Sequence, residues 1–407
     1  MKYYPPDLRE VKYILEELMG LDQFKNSDTD TELTSDFIKD ILTEASKFSV
    51  EVLAPLYSDW HRSGPELKDG AILMSQEMKA AYQRFSEGGW GAMTASKEFG
   101  GFGFPKVLGL AVEEIWQGAH LGFGLCSLLT QGAAETILQA GTEEQKRKYL
   151  PNLISGRWAG TMNLTESQAG SDLSVVTTTA IPETDGTYRI TGQKIFITYG
   201  DHDLTENIIH LVLARLPDSP QGVKGLSLFI VPKYLIQADG GLGEKNFISV
   251  LSNEHKLGLQ ASPTCVLKYG QEKGAWGELL GSVNQGLSIM FMMMNQARFS
   301  VGVQGLAMGA RAYQGALAYA KERIQGVPIG GTKPVPIINH GSVHVLLSTM
   351  KVRTDASRFL AYYVAYLMDQ SSTVLDESEK QKTKQLVDLL IPVVKSFCTE
   401  HGVMNAH

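Results

Sequence analysis

The spacing of apolar residues changes twice along this chain, and that order restricts the fold more than any other feature. From Ser35 to about Gly156 they recur at three and four residues, as in Phe37, Ile41, Ala45 and Phe48, which is the pattern of amphipathic helices. Thr142 before Glu143, Glu144 and Gln145 predicts a helix start with a capping box, a hydroxyl and a carboxamide each satisfying an orphan N–H. Between Trp158 and Gly281 the pattern gives way to short β-rich runs, such as Tyr188 to Thr191, Ile208 to Leu213 and Leu226 to Val231. Gly, Pro and Asp turns separate these runs. Helical spacing returns from Leu287 to Gln325 and from Ser342 to Asp369. The expected class is α+β, with an extension over 1–34, a helical domain over 35–157, a β domain over 158–281 and a helical domain over 282–407.

A chain of 407 residues, 43% hydrophobic, is long enough for two or three domains with a sizeable core. Its formal charge of -7 and lack of a basic run argue against a nucleic-acid surface. The three cysteines, Cys126, Cys265 and Cys398, show no paired spacing, which points to a reducing compartment. No histidine spacing suggests a metal site, and no GxSxG is present. Met1 to Asp22 is broken by prolines and charges and does not read as a leader, and no apolar run is expected to reach the length of a membrane span. A cytoplasmic protein is the expectation.

Residues 161–172 carry the chemistry. A short apolar strand runs into a loop of hydroxyls and carboxylates around Gly170, and a second strand, Gly192 to Thr198, sets Phe196 and Thr198 on one side. Backbone N–H groups at Gly170 and Ser171 can receive a phosphate, while Thr165 and Thr198 can meet the edge of a flat ring. The same residues equally make a β-hairpin with a polar loop. Gly100 to Gly103 follow helical sequence, so they do not read as a dinucleotide loop. The methionines from Met290 to Met294 read first as core filling and second as a flexible pocket wall.

The run Thr165, Glu166, Ala169, Gly170, Ser171, Asp172 resembles the signature of the acyl-CoA dehydrogenase family, and Gly192 to Thr198 resembles the strand that follows it there. Glu98 to Gly103, Gly141 to Pro151 and Asn295 to Arg298 resemble other family segments in the same order. The resemblance spans nearly the whole chain and is nearest to a longer bacterial branch of the methylmercaptopropionyl-CoA type. It implies a small β barrel between two helical bundles. It also implies FAD as cofactor, an acyl-CoA thioester as substrate, an electron-transfer flavoprotein as acceptor and a homo-oligomer.

Carried over residue by residue, the resemblance assigns Thr165 and Thr198 to the flavin ring, and Gly170 and Ser171 to the pyrophosphate. Ser171 would also lie beside the thioester. Met162 and Leu164 would lie along the flavin face, with Phe196 flat against it where many members carry tryptophan. Asn295 and Arg298 fall at positions that bind the CoA part, and an arginine among methionines calls for an anionic partner. Arg323 falls where the family holds the pyrophosphate across a subunit boundary, a task suited to a guanidinium fork. It is followed here by Ile324, Gln325 and Gly326 in place of the usual residues, a departure from the family at the intersubunit contact, and Gln325 is assigned to the cofactor with Arg323. Glu166 and Asp172 read as structural, Asp172 as a turn cap.

The family's base for the α proton is a glutamate whose equivalent is expected beyond His407. The C-terminal bundle is therefore expected to be cut short, with no catalytic base assigned within the chain. The alternative is a non-catalytic flavin- and CoA-binding remnant, or a partner of an intact paralogue.

Overall fold

The computed structural model describes residues 3–21, 33–270, 273–373 and 376–407. Of the 1–34 extension, residues 1–2 and 22–32 lie outside the described residues. The chain forms two compact units, each assembled from separate stretches. One comprises Met1–Tyr57, Phe104–Leu121 and Arg298–His407, and the other Ser58–Gly103 and Gly122–Ala297.

The second unit holds the strands. A hairpin of β1 (Glu66–Lys68) and β2 (Ala71–Leu73) precedes β3 (Trp158–Asn163), β4 (Thr179–Pro182), β5 (Tyr188–Thr198), β6 (Asn207–Arg215) and β7 (Leu226–Pro232). After a small hairpin of β8 (Tyr234–Ile236) and β9 (Leu242–Lys245) come β10 (Ile248–Asn253), β11 (Thr264–Tyr269) and β12 (Ala275–Leu280). The eight-stranded sheet has the order β10-β11-β5-β12-β7-β6-β3, with β4 paired to β5 and β6. Its pairs are antiparallel except β3 with β6 and the single pairing of β4 with β6. The fully buried run of β6 and β7 matches a strand covered on both faces. Leu129, Ala133, Ile137, Trp158, Leu211 and Leu228 belong to its core, and Met290 and Met293 join them, so those two methionines fill core.

The helix Leu121–Ala140 corrects one expectation. Its 20 residues are long and apolar enough to cross a membrane by length and composition, but 72% of that stretch is buried within the protein, as in a central core helix. The turn at Gly100–Gly103 serves packing: a Cβ on Gly101 would sit 2.1 Å from the carbonyl oxygen of Ala95.

The first unit is helical. Ser35–Phe48 and Lys106–Ala119 join Gly341–Thr373, Glu377–Ala406 and the part of the long helix Gly286–Glu322 that begins at Arg298. That helix crosses Glu377–Ala406 closely, since a Cβ on Gly305 would lie 2.5 Å from the Cys398 carbonyl oxygen.

Candidate functional site

The loop that leaves β3 is organised around one carboxylate. Glu166 and Ala169 exchange backbone hydrogen bonds of 3.0 Å, closing a tight turn. The Glu166 side chain is 3% exposed, and its Oε1 accepts from the Thr178 N–H at 3.0 Å, the Thr178 hydroxyl at 2.5 Å and the Lys194 ammonium at 2.9 Å. Its Oε2 accepts from the Thr177 N–H at 2.8 Å, the Thr177 hydroxyl at 2.7 Å and Gln168 at 2.6 Å. Burial works against the charge. Lys194 and the hydroxyls outweigh it and hold the carboxyl at about 2. Asp172 accepts from the Ser174 N–H at 2.9 Å, which is the capping role read from sequence. Both loop carboxylates are thus structural.

The second strand is bent by a bulge. Cys265 faces Ile197 and Leu267 faces Lys194, so three steps on β5 oppose two on β11. Within the bulge Phe196 has φ +59°, a left-handed conformation that is unfavourable for a large side chain. The ring is 59% exposed, so packing does not explain the strain. An outlier of this kind on a presented aromatic makes Phe196 a candidate for a functional position.

Loop and strand are joined. The Ile195 N–H donates to the Thr165 carbonyl at 2.9 Å, which places Thr165 beside the residue preceding Phe196. Gly170 lies near Thr165, since a Cβ there would come 3.9 Å from Thr165 Cγ2. Gly170 and Ser171 are exposed, and among the described residues their N–H groups have no protein acceptor. Thr165 and Gly170 are therefore close together, and Phe196 follows the residue bonded to Thr165, with half-buried Thr198 two residues further on. Leu164 is 7% exposed and belongs to the core of the unit, and Met162 packs against that core. Neither side chain is freely presented.

The remaining candidates lie elsewhere in the chain. Asn295 and Arg298 are three residues apart on the long helix, both half-buried. Arg323 follows the end of that helix and is exposed, with its Nη2 donating to Gln325 Oε1 at 3.3 Å. The chain then folds back. Ile324 bridges Pro336, the Ile337 N–H donates to the Arg323 carbonyl at 2.8 Å, and His340 Nε2 is 2.8 Å from the Gln325 carbonyl. Arg323 and Gln325 are thus hydrogen-bonded to one another.

Two features escaped the sequence reading. Lys194 is fully buried, with its ammonium donating to the Leu164 carbonyl at 2.8 Å as well as to Glu166. Burial lowers its pKa to about 8 against the pull of Glu166. A lone lysine in a run of β-branched residues was the available signal. The second is a buried chain beneath the site. The Tyr269 hydroxyl donates to Asn163 Oδ1 at 2.9 Å, and Asn163 Nδ2 donates to Thr161 Oγ1 at 2.9 Å. Thr161 Oγ1 in turn lies 2.7 Å from His210 Nδ1. Burial and Lys233 lower the His210 pKa to about 3, so the ring is neutral and its Nδ1 pairs with the Thr161 hydroxyl.

Comparison with known proteins identifies the family. Residues 35–157 match the acyl-CoA dehydrogenase N-terminal domain, 161–271 the middle domain and 284–406 the C-terminal domain. The expectation of a C-terminal bundle cut short is not supported, because the C-terminal domain matches through residue 406. The chain is 45% identical to 3-methylmercaptopropionyl-CoA dehydrogenase of Ruegeria pomeroyi over 99% of its own length and 68% of that relative's. It is similar in structure to butyryl-CoA dehydrogenase from Megasphaera elsdenii, with a TM-score of 0.66, 23% identity and coverage of 93% of this chain and 95% of the other. An acyl-CoA dehydrogenase from Bacillus anthracis complexed with FAD gives a TM-score of 0.68 at 25% identity, covering 93% of this chain and 57% of the other.

Proposed function

The chain belongs to the acyl-CoA dehydrogenase family, and from that premise we propose how its residues divide the work of an FAD-dependent oxidation of an acyl-CoA thioester. The observation that carries the assignment is the join between Thr165 and Ile195. It ties the backbone of Thr165, close to Gly170, to the residue before the strained, exposed Phe196, which supports reading them as one site. These residues fit a flavin: a ring edge for Thr165 and Thr198, a ring face for Phe196, and phosphate for the loop N–H groups. Bound FAD would accept the hydride from the β carbon.

The protein's own part is binding and orientation. Thr165 and Thr198 offer hydroxyls to the ring, Gly170 and Ser171 offer N–H donors to the pyrophosphate, and Arg323 with Gln325 offers a charged fork for diphosphate. Asn295 and Arg298 are assigned to the CoA portion, with Ser171 shared between cofactor and thioester. Met162 and Leu164 are assigned to backing the ring from the core. No base is assigned among the described residues: the loop carboxylates Glu166 and Asp172 are both occupied by the protein's own donors.

The acceptor assigned by resemblance is an electron-transfer flavoprotein. Self-association is supported by Val345, Val352, Leu389 and Val403 on the two C-terminal helices, each more than 60% exposed. Three free, buried thiols go with a reducing, cytoplasmic setting.

The test is an anaerobic titration of the FAD-loaded protein with a panel of acyl-CoA thioesters, followed by reoxidation with an artificial acceptor. Bleaching of the flavin is the expected result. A folded, loaded protein bleached by no member of the panel would favour the second reading, a flavin- and CoA-binding protein without turnover.

A further inference from the structure

In a regular strand Lys194, Phe196 and Thr198 would share a face, because side chains alternate with period two. The bulge breaks that alternation, so that Lys194 and Ile197 are buried while Phe196 between them is exposed. The inward Lys194 spans two neighbours of Thr165, donating to the Leu164 carbonyl and to Glu166 Oε1. The next N–H, of Ile195, takes the carbonyl of Thr165 itself. Two successive residues of the strand thus fasten three successive residues of the loop.

We propose that Lys194 is a positioning residue of the flavin site: through Leu164 and Glu166 its ammonium fixes where Thr165 stands relative to Phe196. The proposal rests on the flavin assignment above. Stability alone does not call for this pair, since a well-packed apolar substitute for a buried ion pair is often as stable. Its retention between the two ring-facing segments is explained by geometry. Glu166 supplies the counter-charge and also gathers Thr177 and Thr178, so the whole loop is referred to one ammonium.

The experiment compares the parent protein with the double variant K194M/E166Q, which removes both charges and leaves neither buried alone. The variant R358M/E114Q makes the same change at a buried pair remote in sequence from the loop. FAD dissociation constant, flavin midpoint potential and melting temperature are measured for each. K194M/E166Q is expected to remain folded, to lose FAD affinity on the order of tenfold and to shift the potential. R358M/E114Q is expected to change neither flavin property, whatever it does to the melting temperature. If K194M/E166Q fails to fold, E166Q alone, which keeps Lys194 on Leu164, is expected to show the same changes more weakly. Parent-like affinity and potential in the folded variant would overturn the positioning role. A folded parent that retains no FAD would instead overturn the flavin assignment itself.

Discussion

Asp369 caps a helix to which it does not belong: its carboxylate accepts the Lys106 N–H at 2.7 Å and the Val107 N–H at 3.0 Å, at the start of Lys106–Ala119. Pro105 offers that helix no side-chain cap, so orphan N–H groups are satisfied from 263 residues away. Burial raises the Asp369 pKa to about 6, against the lowering effect of the two N–H groups. A carboxyl whose folded pKa exceeds its unfolded value contributes most when protonated, and that contribution fades as pH rises through the folded pKa. The parent should therefore lose some stability between about pH 4 and pH 7 through this group, and D369N should lack that slope. D369A should cost about 1 to 3 kcal/mol at either pH, because buried N–H groups lose their acceptor. Thermal melts across pH decide it, and parallel profiles for parent and D369N would refute the titration argument.

Arg358 donates from Nε to both Glu114 oxygens at 3.1 Å and from Nη2 at 2.8 Å, and the Tyr362 hydroxyl adds a bond of 2.9 Å. Both charged residues are at most 2% exposed. Removing only the guanidinium leaves a buried carboxylate with little compensation, so R358M is expected to lose about 3 to 5 kcal/mol. R358M/E114Q should recover most of that loss. Denaturant melts of the two variants give the comparison, and equal losses would show that the unpaired charge is not the cause.

The chain from Tyr269 through Asn163 and Thr161 to His210 should behave as one unit. T161V keeps the shape of the side chain but strips Asn163 Nδ2 of its acceptor and His210 Nδ1 of its partner. The expected cost is about 1 to 3 kcal/mol. Y269F frees Asn163 Oδ1, and because the variants share Asn163, the double variant should lose less than the sum of the two. Additive losses in urea melts would mean that the groups act separately.

What could be read in the sequence was local. Thr142 and Gln145 form the expected capping box at 3.2 and 3.1 Å, a device whose partners lie three residues apart. The strands of the main sheet run from Trp158 to Leu280, close to where the periodicity changes, while the small hairpin at 66–73 lies in the stretch read as helical. The two segments joined by the Thr165–Ile195 bond could both be picked out because each is marked by composition. The bulge at Phe196 was hidden, since it depends on the register against β11, some 70 residues further along the chain. Its consequence, the burial of Lys194, was hidden with it. The same holds for Asp369, which looks like any helical aspartate until Lys106 is placed beneath it, and for the assembly of each unit from separate stretches of chain, which no local pattern encodes.

Phe196 allows binding to be separated from stability. Its left-handed backbone costs about 1 to 2 kcal/mol for a side chain with a Cβ, a cost that glycine does not carry. Glycine adds back about 0.5 to 1 kcal/mol through the greater freedom of the unfolded chain. With the ring 59% exposed, little burial is lost on its removal. F196G should therefore melt at or slightly above the parent's temperature. If the ring is held out in this conformation to lie against the flavin, the same variant must bind FAD more weakly, while F196W, which keeps a flat surface, should bind close to the parent. Flavin fluorescence titrations at matched protein folding measure this. An F196G variant that gains stability and keeps the parent's FAD affinity would leave the strain at Phe196 without the role assigned to it.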